Sequence, residues 1–177
     1  FEGVRQRGDF YLNGHNLGRH ENGVMAVGFD LTPYIKQGEN VIAVRTDNDW
    51  MYREEETKSK FQWNDRNFNA NYGGIPKNVF LYVTDKVYQT LPLYSNLKTT
   101  GVYTYAKDID IKGRKATICA ESEVRNDSKE PRQFTYQVTI LDADGKQVKT
   151  FQGDKVTLKA GETKTVKASA PVGGLHF

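Results

Sequence analysis

An all-β chain made of two successive β-sandwiches is what the sequence predicts, on three observations. Apolar residues recur with a period of two in several segments, turn residues bound nearly every such segment, and helical periodicity is almost absent. The composition agrees with an ordered fold. Of 177 residues, 37% are hydrophobic and 12% aromatic, with ten Tyr and nine Phe, too many for a disordered chain.

The elements follow in order. Phe10-Tyr11-Leu12 runs into Asn13-Gly14, whose residues both tolerate the positive φ of a type I′ turn, so a hairpin is predicted with Leu17-Gly18 on its return strand. After Gly28-Phe29-Asp30-Leu31, the pair Thr32-Pro33 reads as a cap followed by proline at the first helical position. One helical turn over Tyr34-Ile35-Lys36-Gln37 is expected, stopped by Gly38. Val41-Ile42-Ala43-Val44 is a continuous apolar run, the pattern of a strand covered on both faces. Beyond the Gly73-Gly74 bend, Ile75 and Val79-Phe80-Leu81-Tyr82-Val83 predict another strand.

Around Asp85–Pro92 the composition shifts, which places a boundary between domains at 1–88 and 89–177. Ala116, Ile118, Ala120, Ser122 and Val124 then alternate with Thr117, Cys119, Glu121 and Glu123. A polar loop over Arg125–Gln133 precedes a second alternation, Phe134, Tyr136, Val138 and Ile140, which ends in the turn Asp142-Ala143-Asp144-Gly145. Val156/Leu158 and Val166/Ala168/Ala170 mark later strands, separated by Ala160-Gly161-Glu162. Strands at this spacing read as an immunoglobulin-like β-sandwich without the Cys…Trp…Cys signature.

Several function classes fall away at once. The 25 basic and 22 acidic residues are interspersed, so no basic stripe marks a nucleic-acid binder. No apolar run reaches the ~20 residues of a membrane span. The single cysteine, Cys119, rules out an internal disulfide framework and a multi-Cys metal site, and it fits a bacterial cytoplasm or periplasm equally. The chain opens on Phe1 and ends on the apolar Leu175-His176-Phe177, which reads as a piece of a longer protein.

The stretch Thr46–Tyr72 is the candidate for chemistry. It joins two strong strand signals, lacks periodicity of its own, and exceeds the ~12–15 residues above which loops tend to be functional. Trp50, Tyr52, Phe61, Trp63, Phe68 and Tyr72 interleave there with amides and carboxylates. Ring faces beside such groups suit a polyhydroxylated ligand, whose C–H faces stack while its hydroxyls need donors and acceptors. The substrate-binding candidates are Asp47, Asn48, Trp63, Asn64, Asp65, Asn69 and Asn71.

Other features read as structural. Glu54-Glu55-Glu56 lies among Arg53, Lys58 and Lys60 and reads as a solvated charge run on a mobile loop. His15 and His20 are an odd number of positions apart on a strand and so face opposite sides, which argues against a metal site with Glu21. No metal or cofactor is expected. Asn126-Asp127-Ser128 fits a glycosylation sequon.

The order Phe1-Glu2-Gly3-Val4, Tyr11-Leu12-Asn13-Gly14, Leu17-Gly18, Gly28-Phe29-Asp30-Leu31-Thr32, Gly38-Glu39-Asn40-Val41-Ile42-Ala43-Val44-Arg45 and Gly73-Gly74-Ile75-Pro76-Lys77-Asn78-Val79 resembles the sugar-binding domain of glycoside hydrolase family 2. The stretch with Val124-Arg125-Asn126 resembles the family's second, immunoglobulin-like domain. The resemblance implies a galactose-binding-like jelly roll whose first strands are missing, then an immunoglobulin-like sandwich lacking its last strand. It further implies a following (β/α)₈ barrel with the two catalytic glutamates of a retaining glycosidase, neither of them in this chain. The expected parent is a β-galactosidase acting on terminal β-galactosides in carbohydrate catabolism, with this segment non-catalytic. Its partners would be the barrel and a β-linked oligosaccharide substrate, and open sheet edges would favour a homo-oligomer. Where the family usually has Arg, and often an acidic residue upstream, this sequence has Lys77 and Asn69-Ala70-Asn71, so β-galactoside, β-glucuronide and β-mannoside all stay open. The alternative is a stand-alone carbohydrate-binding or adhesion module of two β-sandwiches.

Overall fold

Asn13 and Gly14 both take positive φ, 52° and 84°, and the type I′ turn they form joins strands β1 (Arg7–Leu12) and β2 (His15–His20). The structure, a computed structural model, describes residues 1–5, 7–49, 51–60 and 73–175. β3 (Ile42–Asp47) pairs antiparallel with the other edge of β1, giving the sheet order β2-β1-β3. Asn13 also anchors the segment that leads into β3. Its side-chain oxygen accepts from Val41 N at 3.0 Å, and its amide donates to Tyr34 O at 3.0 Å and to Asn40 Oδ1 at 2.9 Å. Asn40 in turn donates to the carbonyls of Lys36 and Gly38, so two amide side chains hold the whole turn before β3.

Three sequence expectations are corrected here. The signal at Thr32-Pro33 yields the single turn expected, but over residues 32–34 rather than 34–37. Tyr34 N and Ile35 N both donate to Leu31 O, and Asp30 rather than Thr32 supplies the capping oxygen, 2.9 Å from Thr32 N. The apolar run into β3 is not covered on both faces among the described residues: Val41 and Ile42 are about half exposed. Residues 79–83 likewise form no ladder with any described strand and stand open to solvent, with the Phe80 and Tyr82 rings 6.3 Å apart. Side-chain pattern predicts a strand, but a ladder also requires a backbone partner.

The chain divides into two compact units, Phe1–Tyr82 with Ser95–Leu97, and Val83–Tyr94 with Lys98–Phe177. The first has its core around Val4, Phe10 and Val27, with Phe1, Leu17, Phe29 and Val44 packed against them. Phe10 is fully buried between the Phe1 and Phe29 rings, at 4.9 and 4.7 Å between centroids. Burial of such a side chain stabilises by about 1.5–3 kcal/mol.

In the second unit, the short strand β4 (Val87–Gln89) is followed by the helical turn α1 (Tyr94–Leu97), of which Tyr94 belongs to this unit, and by β5 (Val102–Asp110). Then come β6 (Lys115–Asn126), β7 (Arg132–Leu141), β8 (Gln147–Leu158) and β9 (Thr163–Gly173). β6 is central, with β9 along one side and β5 and β4 along the other; β7 and β8 form a second, two-stranded sheet. Burial alternates along β7 and β9 as predicted, and along β6 except that Cys119 is buried beside Ala120 and Ile118 is half-buried. Val124 and Val166 meet Leu158, with Phe134, Tyr136 and Val156 around them. Val87–Gln89, on the first domain's side of the 88/89 boundary apart from Gln89, pairs with Val124–Asn126 of β6. The sequence did not mark β4, β5 or α1. Eight of the nine residues of β5 are exposed, so no apolar alternation reveals it.

Candidate functional site

The long loop of the first unit starts where β3 ends. Asp47 is the register partner of Arg7, whose Nη1 lies 3.9 Å from its Oδ2. Asn48 follows, and a Cβ on Gly73 would lie 2.5 Å from its Cγ, so the missing side chain at Gly73 makes room for the Asn48 amide. Gly74 adds a backbone bridge. Arg5 N donates to Gly74 O at 2.8 Å and Gly74 N to Arg5 O at 3.1 Å. Gly74, with φ 90°, takes a conformation that L side chains rarely adopt. The chain thus returns at Gly73 to the point that it left at Asn48. Of the predicted substrate contacts, Asp47 and Asn48 stand together at this point. Trp63, Asn64, Asp65, Asn69 and Asn71 lie outside the described residues.

Residues 51–60 are folded back on the sheet by charge. Asp9, 5% exposed, accepts from Arg19 Nε at 2.7 Å and from Arg7 Nη2 at 3.0 Å. Burial pushes its carboxyl up, but the bonds from Arg19 and Arg7 outweigh it and hold it below the usual carboxylate value. Arg19 also pairs with Glu55, and the Arg7 guanidinium sits 5.2 Å from the centre of the Tyr52 ring. Tyr52 donates its hydroxyl to Glu21, which also accepts from Glu55 N at 3.2 Å. Burial, then the Glu21 hydrogen bond, push the Tyr52 hydroxyl up to about 12, so it remains a donor throughout the neutral range.

Glu55 and Glu56 of the triple glutamate run are exposed, as expected of a solvated charge run, while Glu54 and Glu55 also have fixed partners. Arg53 and Lys60 form a backbone bridge, Glu54 N donates to Ser59 O at 2.9 Å, and Lys58 takes φ 58° at the turn. Glu54 accepts from Thr57 Oγ1 at 2.7 Å, and Glu55 is the anion of Arg19. Glu56 lines an open cleft of about 420 Å³ with Arg19, His20, Glu21, Glu55 and Asn96. In that cleft Glu21 and Glu55 are both acceptors in fixed bonds, an arrangement that holds the loop.

The remaining sequence candidates have structural partners. His15 stacks on Tyr34 at 4.9 Å, and His20 Nε2 is 3.3 Å from Met25 O; burial lowers the His20 value. Among the described residues no three His, Cys, Asp or Glu side chains gather as a metal site. Asn126 of the sequon is fully buried in the second unit. Its amide donates to the carbonyls of Glu130, Leu158 and Lys159, and its oxygen accepts from Ser128 N and Oγ, so in the folded chain it is a structural hub without room for a glycan. Cys119 is buried in β6 opposite Tyr105 of β5.

Comparison with known proteins gives the family. Residues 1–85 match the family model described as "Glycosyl hydrolases family 2, sugar binding domain". A β-glucuronidase of Formosa agariphila is 40% identical over 94% of this chain and 17% of its own length. A β-galactosidase of Bacteroides ovatus is 28% identical over 84% of this chain and 15% of its own length. A solved β-glucuronidase from glycoside hydrolase family 2 superposes with a TM-score of 0.87 at 37% identity, over 99% of this chain and 18% of that one. The chain thus spans under a fifth of the length of these relatives. It belongs to glycosyl hydrolase family 2, whose sugar-binding domain it carries over residues 1–85.

Proposed function

We propose that this chain is a non-catalytic portion of a retaining β-glycosidase, a truncated jelly roll over 1–88 followed by an immunoglobulin-like sandwich over 89–177. Its role is to hold the Thr46–Tyr72 loop at the rim of an active site that lies elsewhere in the parent protein. The observation that carries this reading is the convergence of Asn48 and Gly73, supported from below by Arg7, Asp9 and Arg19. It brings the two flanks of the aromatic and amide-rich stretch to one place on a charge-locked sheet. Asp47, Asn48, Trp63, Asn64, Asp65, Asn69 and Asn71 are the proposed sugar contacts.

Sugar specificity is the finer part of the proposal. The sequence favoured a β-galactoside, and a β-galactosidase is among the relatives. The relatives at 40% and 37% identity are named β-glucuronidases, which supports a β-glucuronide as the substrate of the parent. The test is the ratio of kcat/KM for an aryl β-glucuronide and the matching aryl β-galactoside, measured on the full-length protein and on its Asn48→Ala variant. The expected result is preference for the glucuronide, and a loss in the variant of about tenfold, the size of one hydrogen bond to a charged or developing-charge group. Preference for the galactoside returns the specificity to the alternative, and unchanged kinetics in the variant removes Asn48 from the rim.

A further inference from the structure

We propose that Asn22 is a site of spontaneous modification, where the folded protein converts asparagine to isoaspartate, while Asn13 is held unreactive. The chain has two Asn-Gly pairs, Asn13-Gly14 and Asn22-Gly23. Glycine lets its own nitrogen approach the preceding side chain, because no Cβ stands in the way. At position 22 a bond forms between Gly23 N and Asn22 Cγ, and the Cγ–Nδ2 bond breaks. The proton of Gly23 N passes through water to Nδ2, so ammonia leaves. Water then opens the cyclic imide at either carbonyl, which gives aspartate or isoaspartate. The net change is one water gained and one ammonia lost, with no oxidation or reduction.

Hydrogen bonding separates the two pairs. Asn22 Oδ1 accepts from Val24 N at 3.0 Å and from Met25 N at 3.1 Å. Both donors stay in place as Oδ1 gains negative charge on attack, so they stabilise the tetrahedral intermediate more than the resting amide. A cation stands beside the same peptide. A Cβ on Gly23 would lie 2.6 Å from Arg5 Cγ and 3.3 Å from Arg5 Nε, which also makes glycine the residue that fits there. Among the described residues neither Gly23 N nor Asn22 Nδ2 makes a hydrogen bond, so nucleophile and leaving group are both uncommitted. Val24 and Met25 are about half exposed, which admits the water that opens the imide.

Asn13 is tied differently. Its Nδ2, the atom that would leave, donates to Tyr34 O and to Asn40 Oδ1, and its Oδ1 accepts from Val41 N. Attack by Gly14 N would turn this amide out of three bonds. Modification at position 22 also has a structural consequence. Isoaspartate adds one carbon to the main chain between β2 and Val27, which is buried and exchanges two hydrogen bonds with Phe1. Glu21, the neighbour of Asn22, accepts from Tyr52 and from Glu55 N, so the change strikes the segment that ties the loop to the sheet.

The experiment ages the full-length protein at neutral pH, folded and in denaturant, and follows both sites by tryptic peptide mass. Cleavage after Arg7, Arg19 and Lys36 puts Asn13 in residues 8–19 and Asn22 in residues 20–36, where it is the only asparagine. Fragmentation distinguishes Asn13 from Asn16 in the first peptide. In the folded protein a one-dalton gain, divided between two separable peptides of equal mass, is expected at Asn22 about tenfold faster than at Asn13. In denaturant the two rates should converge. Equal rates in the folded protein overturn the proposal. So does folding that slows Asn22 as much as Asn13, since the bonds to Oδ1 would then lock the side chain instead of stabilising the attack.

Discussion

Arg19 lies directly opposite Asp9 across the β1–β2 ladder, and its Nε donates to Asp9 Oδ1 at 2.7 Å. The same carboxylate takes a second guanidinium, Arg7, from its own strand. One nearly buried anion thus binds two cations, and through them Asp47 and Glu55. Removing it leaves two guanidinium groups facing each other, so Asp9→Ala should destabilise the first unit by about 3 kcal/mol. A chemical denaturation curve of wild type and variant checks this.

The pH dependence follows from the same pair. The folded Asp9 value is depressed, so its contribution is complete above the unfolded value of about 3.9 and is lost as pH falls through the lower folded value. The stability gap between wild type and Asp9→Asn should be full at neutral pH and narrow only in that acidic window. A gap that is constant from neutral pH into the acid range would show that packing, not charge, sets it.

Gly153 of β8 faces the backbone of β9, and a Cβ placed there would overlap the Lys167 carbonyl oxygen. Backbone cannot yield as a side chain can. Gly153→Ala should therefore cost about 1–3 kcal/mol by overpacking, despite the gain in chain stiffness that alanine normally brings. The melting temperature of the variant reads this directly, and an increase would contradict the close approach.

Asn126 meets three carbonyls and both donors of Ser128 while fully buried. Asn126→Ala orphans those groups together and should destabilise by about 3 kcal/mol or more. Asn126→Asp, isosteric but without the amide donors, should cost a similar amount. A mild effect of both variants would show that water replaces the hub.

Much of this was readable in the sequence, and the failures have physical causes. Asn13-Gly14 announces the first hairpin because only that turn suits such residues, and the alternation of β6 and β7 reports one buried face. The Asp9–Arg19 pair was hidden by register. A regular two-residue hairpin pairing Leu12 with His15 would set Asp9 against Gly18. The bulge between Phe10 and Tyr11 instead leaves Leu17 without a partner and brings Arg19 opposite Asp9. Asn16 Oδ1, accepting from Gly18 N at 2.8 Å, holds that bulge, and no pattern of hydrophobicity encodes it. Strand signals at 79–83 misled for the converse reason, since side-chain preference says nothing about a backbone partner. At the candidate site, the aromatic and amide composition drew attention to the loop, while its support by Arg7, Asp9, Arg19 and Tyr52 needed coordinates.

In the proposed function this chain serves catalysis without performing it. Retaining hydrolysis needs two carboxyl groups roughly 5 Å apart across the bond, one of them able to give a proton. Glu21 and Glu55 are instead held as acceptors by Tyr52 and Arg19. The direct measurement is release of phenol from an aryl β-glucuronide and an aryl β-galactoside, by the 177-residue chain and by the full-length protein at equal concentration. Background rates are expected for the chain on both substrates, and turnover for the full-length protein. Turnover by the chain alone, abolished by replacing Glu54, Glu55 or Glu56, would contradict the proposed role.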